Sequence, residues 1–151
     1  MAIDISKMSL PELFKHIGEL PTAKRTNALK QIANLTPELV TLLKYTYRED
    51  VKFALPSGKP PYKPMETPGN WGHNRIPAEI RKFQYLIPTS NVPQIKRESI
   101  FIEMLETVSP DEAELLLMVK EKKITYKGIT RKLVEDALPE IFDGDTKQKN
   151  G

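Results

Sequence analysis

The sequence predicts an all-α protein, a compact bundle of about six or seven short helices interrupted by one long Pro/Gly-rich loop. Three observations predict it. Ser or Thr followed by Pro or an acid opens one segment after another. Apolar residues recur at helical spacing behind each opening. The one stretch that alternates like a strand, Val51-Lys52-Phe53-Ala54-Leu55, is short. Residues 1–142 read as a single helical domain and 143–151, DGDTKQKNG, as a disordered tail.

The elements follow in chain order. Ser9-Leu10-Pro11-Glu12 reads as a capping box, with the proline where a helix needs no N–H and the glutamate three residues after the cap. Leu10, Leu13, Phe14 and Ile17 share one face behind it, and Ile17-Gly18 with Pro21 mark the stop. A second helix starts at Thr22 and carries Ala28, Leu29, Ile32 and Leu35. Thr36-Pro37-Glu38 opens a third, with Leu39, Leu42, Leu43 and Tyr47 on or near one face. Residues 56–75, PSGKPPYKPMETPGNWGHNR, hold eight Pro or Gly and form the long loop, partly polyproline II. A short helix follows over 77–86. Asn91-Val92-Pro93-Gln94 opens another that runs to Val108, and Ser109-Pro110-Asp111-Glu112 opens the next. Acids in that first turn suit the positive end of the helix dipole. Thr130 caps a last helix with Leu133, Val134 and Ala137, which Pro139 closes.

Charge is unevenly distributed. The net charge is only +3, yet residues 21–65 hold eight Lys/Arg against three acids, and residues 98–121 hold seven acids against one Lys. Residues 122–132 then carry Lys122, Lys123, Lys127, Arg131 and Lys132 with no acid. Either one surface is basic and another acidic, or each block is a solvated face. No apolar run approaches the roughly 18 residues a bilayer crossing needs. The start, MAIDISKMSLPELF, lacks the basic and apolar blocks of a secretory signal.

Catalytic chemistry finds little support. With no Cys there is no thiol nucleophile and no thiolate metal site. His16 reads as a boundary residue of the first helix. His73 has no second histidine or acid at ligand spacing. Glu103, Glu106, Asp111, Glu112 and Glu114 either bind Mg²⁺ or, more simply, cap and solubilise two helices. No Walker A loop and no GxGxxG is present. The expectation is a non-enzymatic protein with no cofactor and no metal site.

Binding finds more. Lys122-Lys123-Ile124-Thr125-Tyr126-Lys127-Gly128-Ile129-Thr130-Arg131-Lys132 joins two helices through a glycine that tolerates positive φ. Its cations can displace counterions from a nucleic-acid backbone, and the helix start at Thr130 can face a phosphate. Tyr126 either packs on a sugar or fills the edge of the core. Lys24 and Arg25 make a second basic patch at another helix start. Lys59, Lys63 and Arg75, interleaved with Tyr62 and Trp71, make a third in the loop, where rings can stack on bases. The alternative for Trp71 is to anchor the loop to the core. Pro61-Tyr62-Lys63-Pro64 also has a P-x-x-P spacing that suits an aromatic groove.

Residues 99–142, SIFIEMLETVSPDEAELLLMVKEKKITYKGITRKLVEDALPEIF, resemble an uncharacterised family of T-even-like tailed phages, marine phages included. The shared order is the S-P-x-E-A-E-L helix start, K-K, Y-K-G-I and a closing A-x-P-x-hydrophobic. More remotely, the layout is similar to the N-terminal helical DNA-binding domain of ATP-dependent DNA ligases. The points of likeness are Thr22-Ala23-Lys24-Arg25, the basic glycine turn and Leu138-Pro139-Glu140-Ile141. That resemblance implies that Lys24, Arg25, Lys127, Gly128, Thr130, Arg131 and Lys132 meet the backbone of duplex DNA, nicked duplex included. No nucleotidyltransferase domain or adenylation lysine motif accompanies them. The expected role is an accessory one in replication or repair, in the host cytoplasm. The alternative is a module that binds a phage or host replication or transcription protein through the acidic 98–121 face or the proline-rich loop.

Overall fold

Ser9 sets the entry to the first helix. Its hydroxyl accepts from the Glu12 N–H at 3.3 Å and the Glu12 carboxylate accepts from the Ser9 N–H at 2.8 Å, so two orphan donors of the first turn are satisfied. The same reciprocal box forms at Ser109 and Glu112. At Thr130 the hydroxyl alone accepts, from the Leu133 N–H at 3.1 Å. In a computed structural model, which describes residues 8–64 and 76–142, these caps open three of the helices.

The helices are α1 (Leu10–Glu19), α2 (Thr22–Leu35), α3 (Pro37–Tyr47), α4 (Ile76–Glu79), a 3-10 helix (Ile80–Tyr85), α5 (Gln94–Thr107), α6 (Pro110–Lys120) and α7 (Arg131–Ala137). The protein is all-helical, and among the described residues there is no strand. The alternating stretch at residues 51–55 is irregular. Phe53 leaves it to pack on Tyr45 and Phe83, with ring centroids 6.0 and 5.7 Å away, and the Ala54 N–H donates to the Leu86 carbonyl. Neither Thr22 nor Thr36 caps through its side chain: Pro21 is the N-cap of α2, and Thr36 closes α2 and opens α3 at once.

α6 lies at the centre, packed against α1, α3 and α5, while α2 packs on α7. Its buried positions, Glu112, Ala113, Leu115, Leu116, Val119 and Lys120, form one broad face, while Asp111 and Glu114 on the other side are exposed. The buried apolar residues of every helix from α1 to α7 form one cluster that includes Phe14, Leu42, Phe83, Met104, Leu116 and Val134. Truncating a side chain as enclosed as Phe14 to alanine costs about 3–5 kcal/mol.

The predicted loop divides in two. Residues 56–64 carry no helix and lie against α5 and α6, whereas 65–75, with Trp71, His73 and Arg75, fall outside the described residues, as does the predicted tail 143–151. Among the described residues no helix is long and apolar enough to cross a membrane.

Candidate nucleic-acid interface

Two glycines weld the end of α1 to the turn before α7. Gly18 is buried in the last turn of α1, and a Cβ there would lie 2.0 Å from the Lys127 carbonyl oxygen. Gly128, at φ +81°, is the reciprocal partner: a Cβ on it would come within 3.0 Å of the Gly18 Cα and 3.1 Å of the Arg25 guanidinium carbon. Only backbone without side chains allows this approach. Arg25 seals it from beneath. Its Nε donates to the Leu20 carbonyl at 2.9 Å and its Nη2 to the Gly18 carbonyl at 3.0 Å, placing a cation at the negative end of α1.

The corner so built brings the start of α2 and the 122–130 turn together, the two basic patches expected from the sequence. Their cations do not share one role. Lys24, Lys123 and Lys127 are exposed and make no ion pair among the described residues. Arg131 faces Glu135 at 3.1 Å and Glu49 at 3.8 Å and lies 4.9 Å from the Phe142 ring centre, while Lys132 pairs with Asp136 at 3.2 Å. These pairs are solvent-exposed and worth little each, so both side chains stay available as a rim.

Two expectations are corrected here. Arg25 is a structural tie, because both of its bonds close the α1–α2 corner. Lys122 is another. Its Nζ donates to the carbonyls of Tyr45, Arg48 and Val51 at 2.7, 2.8 and 2.6 Å, which terminates α3 and pins the chain beyond it. Burial draws that ammonium down from its ordinary value to about 8, with Asp50 acting the other way. Lys122 also holds φ 64°, a left-handed C′ residue whose N–H reaches Val119 O while the Lys123 N–H reaches Met118 O. Of the two readings of Tyr126, the structure shows the core edge: it stacks on Phe14 at 5.8 Å, and burial, with Asp111 and Glu114, raises its phenol. Thr130 caps the seven-residue α7 with its own hydroxyl, which takes up the Leu133 N–H.

The loop residues belong to another surface. The Gly58 N–H donates to Glu121 and the Lys63 N–H to Glu106. Lys59 pairs with Glu114 at 3.7 Å and lies 5.5 Å from the Tyr62 ring centre. Half-buried Tyr62 packs against the core. From the opposite side the buried Lys120 ammonium reaches the Pro56 and Gly58 carbonyls and the Glu121 carboxylate. The acidic block of 98–121 and the start of the proline-rich loop thus engage one another within the chain, and Lys59, Tyr62 and Lys63 do not join the corner.

Sequence reasoning missed the residues that act at long range. Arg97, 7% exposed, donates to the carbonyls of Tyr85 and Ser90, the Ser90 hydroxyl and the Gln94 amide oxygen, fixing the turn before α5. Glu112, fully buried, adds the Ile76 N–H to its capping role. Lys120 had one signal, as the single cation in an acidic block. Arg97 had none. Among the described residues no three His, Asp or Glu side chains gather at a metal site.

Fold and site together define a small all-helical protein with a cationic corner held by two glycines. The chain belongs to a family of unknown function, DUF6433, whose profile matches residues 19–126, from the end of α1 to Tyr126. No curated protein and no solved structure matches it.

Proposed function

We propose that this protein binds duplex DNA through its phosphate backbone, without catalysis, at the corner where the start of α2 meets the 122–130 turn. The observation that carries the reading is the approach of the 127–128 turn to Gly18 and Arg25, which brings the turn that holds exposed Lys127 to the start of α2, where Lys24 is exposed. Lys123 extends the patch, and Arg131 and Lys132 form its rim. The ligase-like layout of these residues supports the same reading, and the phage resemblance suggests an accessory role in replication or repair in the host cytoplasm. Contact would be by shape and charge, without readout of bases.

The experiment is fluorescence anisotropy with labelled intact, nicked and single-stranded DNA at two salt concentrations. Three neutralised phosphates give log K against log salt a slope of roughly −3. Lys24→Glu with Lys127→Glu abolishes binding without changing the melting temperature. No binding at low salt would overturn the reading. The second reading, a protein-interaction module using the acidic face or the loop, meets a surface where residues 58–63 already engage Glu106, Glu114 and Glu121.

A further inference from the structure

Away from the corner, residues 55–61 arch over α5 and leave a cleft of about 360 Å³ between them. At roughly 30 Å³ per water this is room for about a dozen molecules, far beyond a packing defect in a core that otherwise interlocks. Leu55, Pro56, Pro60 and Pro61 form one wall and Phe101 and Ile102 the other, with Glu98 and Lys120 between.

The polar chemistry of the cleft is one-sided. Proline has no N–H, so Pro56, Pro60 and Pro61 offer no backbone donor. The Gly58 N–H is engaged by Glu121. The Lys120 ammonium has three hydrogens and three acceptors, the Pro56 and Gly58 carbonyls and the Glu121 carboxylate, and its charge is met by that carboxylate. Lys59 turns to Glu114 and the Tyr62 ring. Glu98 is the exception. One of its oxygens, Oε2, accepts from the Gln94 Nε2 at 2.8 Å, and Oε1 has no partner among the described residues. Gln94 is itself held, donating to the Ala54 carbonyl at 2.8 Å and accepting from Arg97 at 2.6 Å, so the carboxylate is held at the cleft that residues 55–61 form with α5. Ser57 adds a neutral hydroxyl to the lining, so Glu98 is the one charge there with no ion-pair partner among the described residues, and an apolar cleft with one such oriented carboxylate selects a cation.

We propose that this cleft is a binding site for a small organic amine, an apolar ring or branched chain bearing one cationic nitrogen, with Glu98 as its counter-ion and Pro60, Pro61 and Phe101 as its apolar cradle. A carboxylate of the same shape is rejected, because it would meet the like charge of Glu98 while the Lys59 and Lys120 charges are already paired. The proposal is independent of DNA binding.

The test is an amide NMR titration of the full chain with benzylamine, phenylacetate and benzyl alcohol as probes. Benzylamine shifts the amides of Leu55, Gly58, Phe101 and Ile102 to saturation, and phenylacetate does not. Glu98→Gln, which keeps shape and removes charge, weakens benzylamine about tenfold and leaves benzyl alcohol unchanged, since a charge-assisted bond is roughly twice as strong as a neutral one. Ile102→Trp fills the cleft and removes both. Equal binding of phenylacetate and benzylamine, an unchanged benzylamine affinity in Glu98→Gln, or no saturable shift in the native chain would each overturn the proposal.

Discussion

The Cα of Gly18 and the carbonyl of Lys127 stand so close that a Cβ on Gly18 would lie 2.0 Å from the oxygen. Gly→Ala inside a helix ordinarily stabilises by about 0.5–1 kcal/mol. Here the sign reverses. The neighbour is backbone and cannot rotate away, so Gly18→Ala forces the 127–128 turn off α1 and costs about 1–3 kcal/mol, the usual scale of overpacking. Urea unfolding measures this, and a stabilised variant would refute the contact.

Lys122 combines a left-handed backbone with a side chain tied to three carbonyls, and two substitutions separate the parts. Lys122→Ala loses the ammonium and keeps the strain. Lys122→Gly loses the ammonium and relieves roughly 1 kcal/mol of left-handed penalty. Both variants are less stable than the native chain, with Lys122→Gly the less damaged by about that amount in denaturant titrations. If Lys122→Gly proved as stable as native, the three carbonyl bonds would contribute no more than the roughly 1 kcal/mol of strain relieved.

Glu112 closes the α6 capping box and also accepts from the Ile76 N–H at 2.9 Å. Glu112→Ala removes the cap's partner and leaves a buried donor unmet, which costs roughly 2–4 kcal/mol in all. Ser109→Ala touches the cap alone and costs about 1 kcal/mol. A gap between the two in urea midpoint would place the excess at the start of α4, and equal losses would remove Glu112 from that role.

Glu121 carries the pH dependence. The hydrogen bond from Lys120, aided by the Gly58 N–H, holds its carboxyl below the ordinary 4.5 against a smaller opposing effect of burial. A depressed folded value means the unfolded chain binds the proton first, so this contribution is fully present above 4.5 and lost as pH falls through the folded value. The stability difference between the native chain and Glu121→Gln is therefore constant from pH 7 to about 5.5 and shrinks in more acidic buffer. Thermal melts at pH 7 and pH 3 check it, and a difference unchanged between them would rule out the link.

What could be read in the sequence is what acts within one helical turn. Ser9 with Glu12 and Ser109 with Glu112 lie three residues apart, so the box that starts each helix is written locally. The resemblance implies a shared role for the start of α2 and the 122–130 turn, but the glycine contact that brings the turn to the end of α1 links residues 18 and 127 and has no local signature. Lys122 looked like any cation in a basic run, because its carbonyl partners lie 71 to 77 residues earlier. Thr22 and Thr36 have cap-forming side chains that the backbone leaves unused.

That reach of Lys122 also orders events in time. The carbonyls of Tyr45, Arg48 and Val51 belong to a stretch made long before the lysine that gathers them. At about 5–20 residues per second, a ribosome leaves them hydrated for roughly 4–15 seconds. The end of α3 can lock only after α6 and the two residues beyond it have emerged, so the N-terminal half of this chain waits for its clasp to be synthesised.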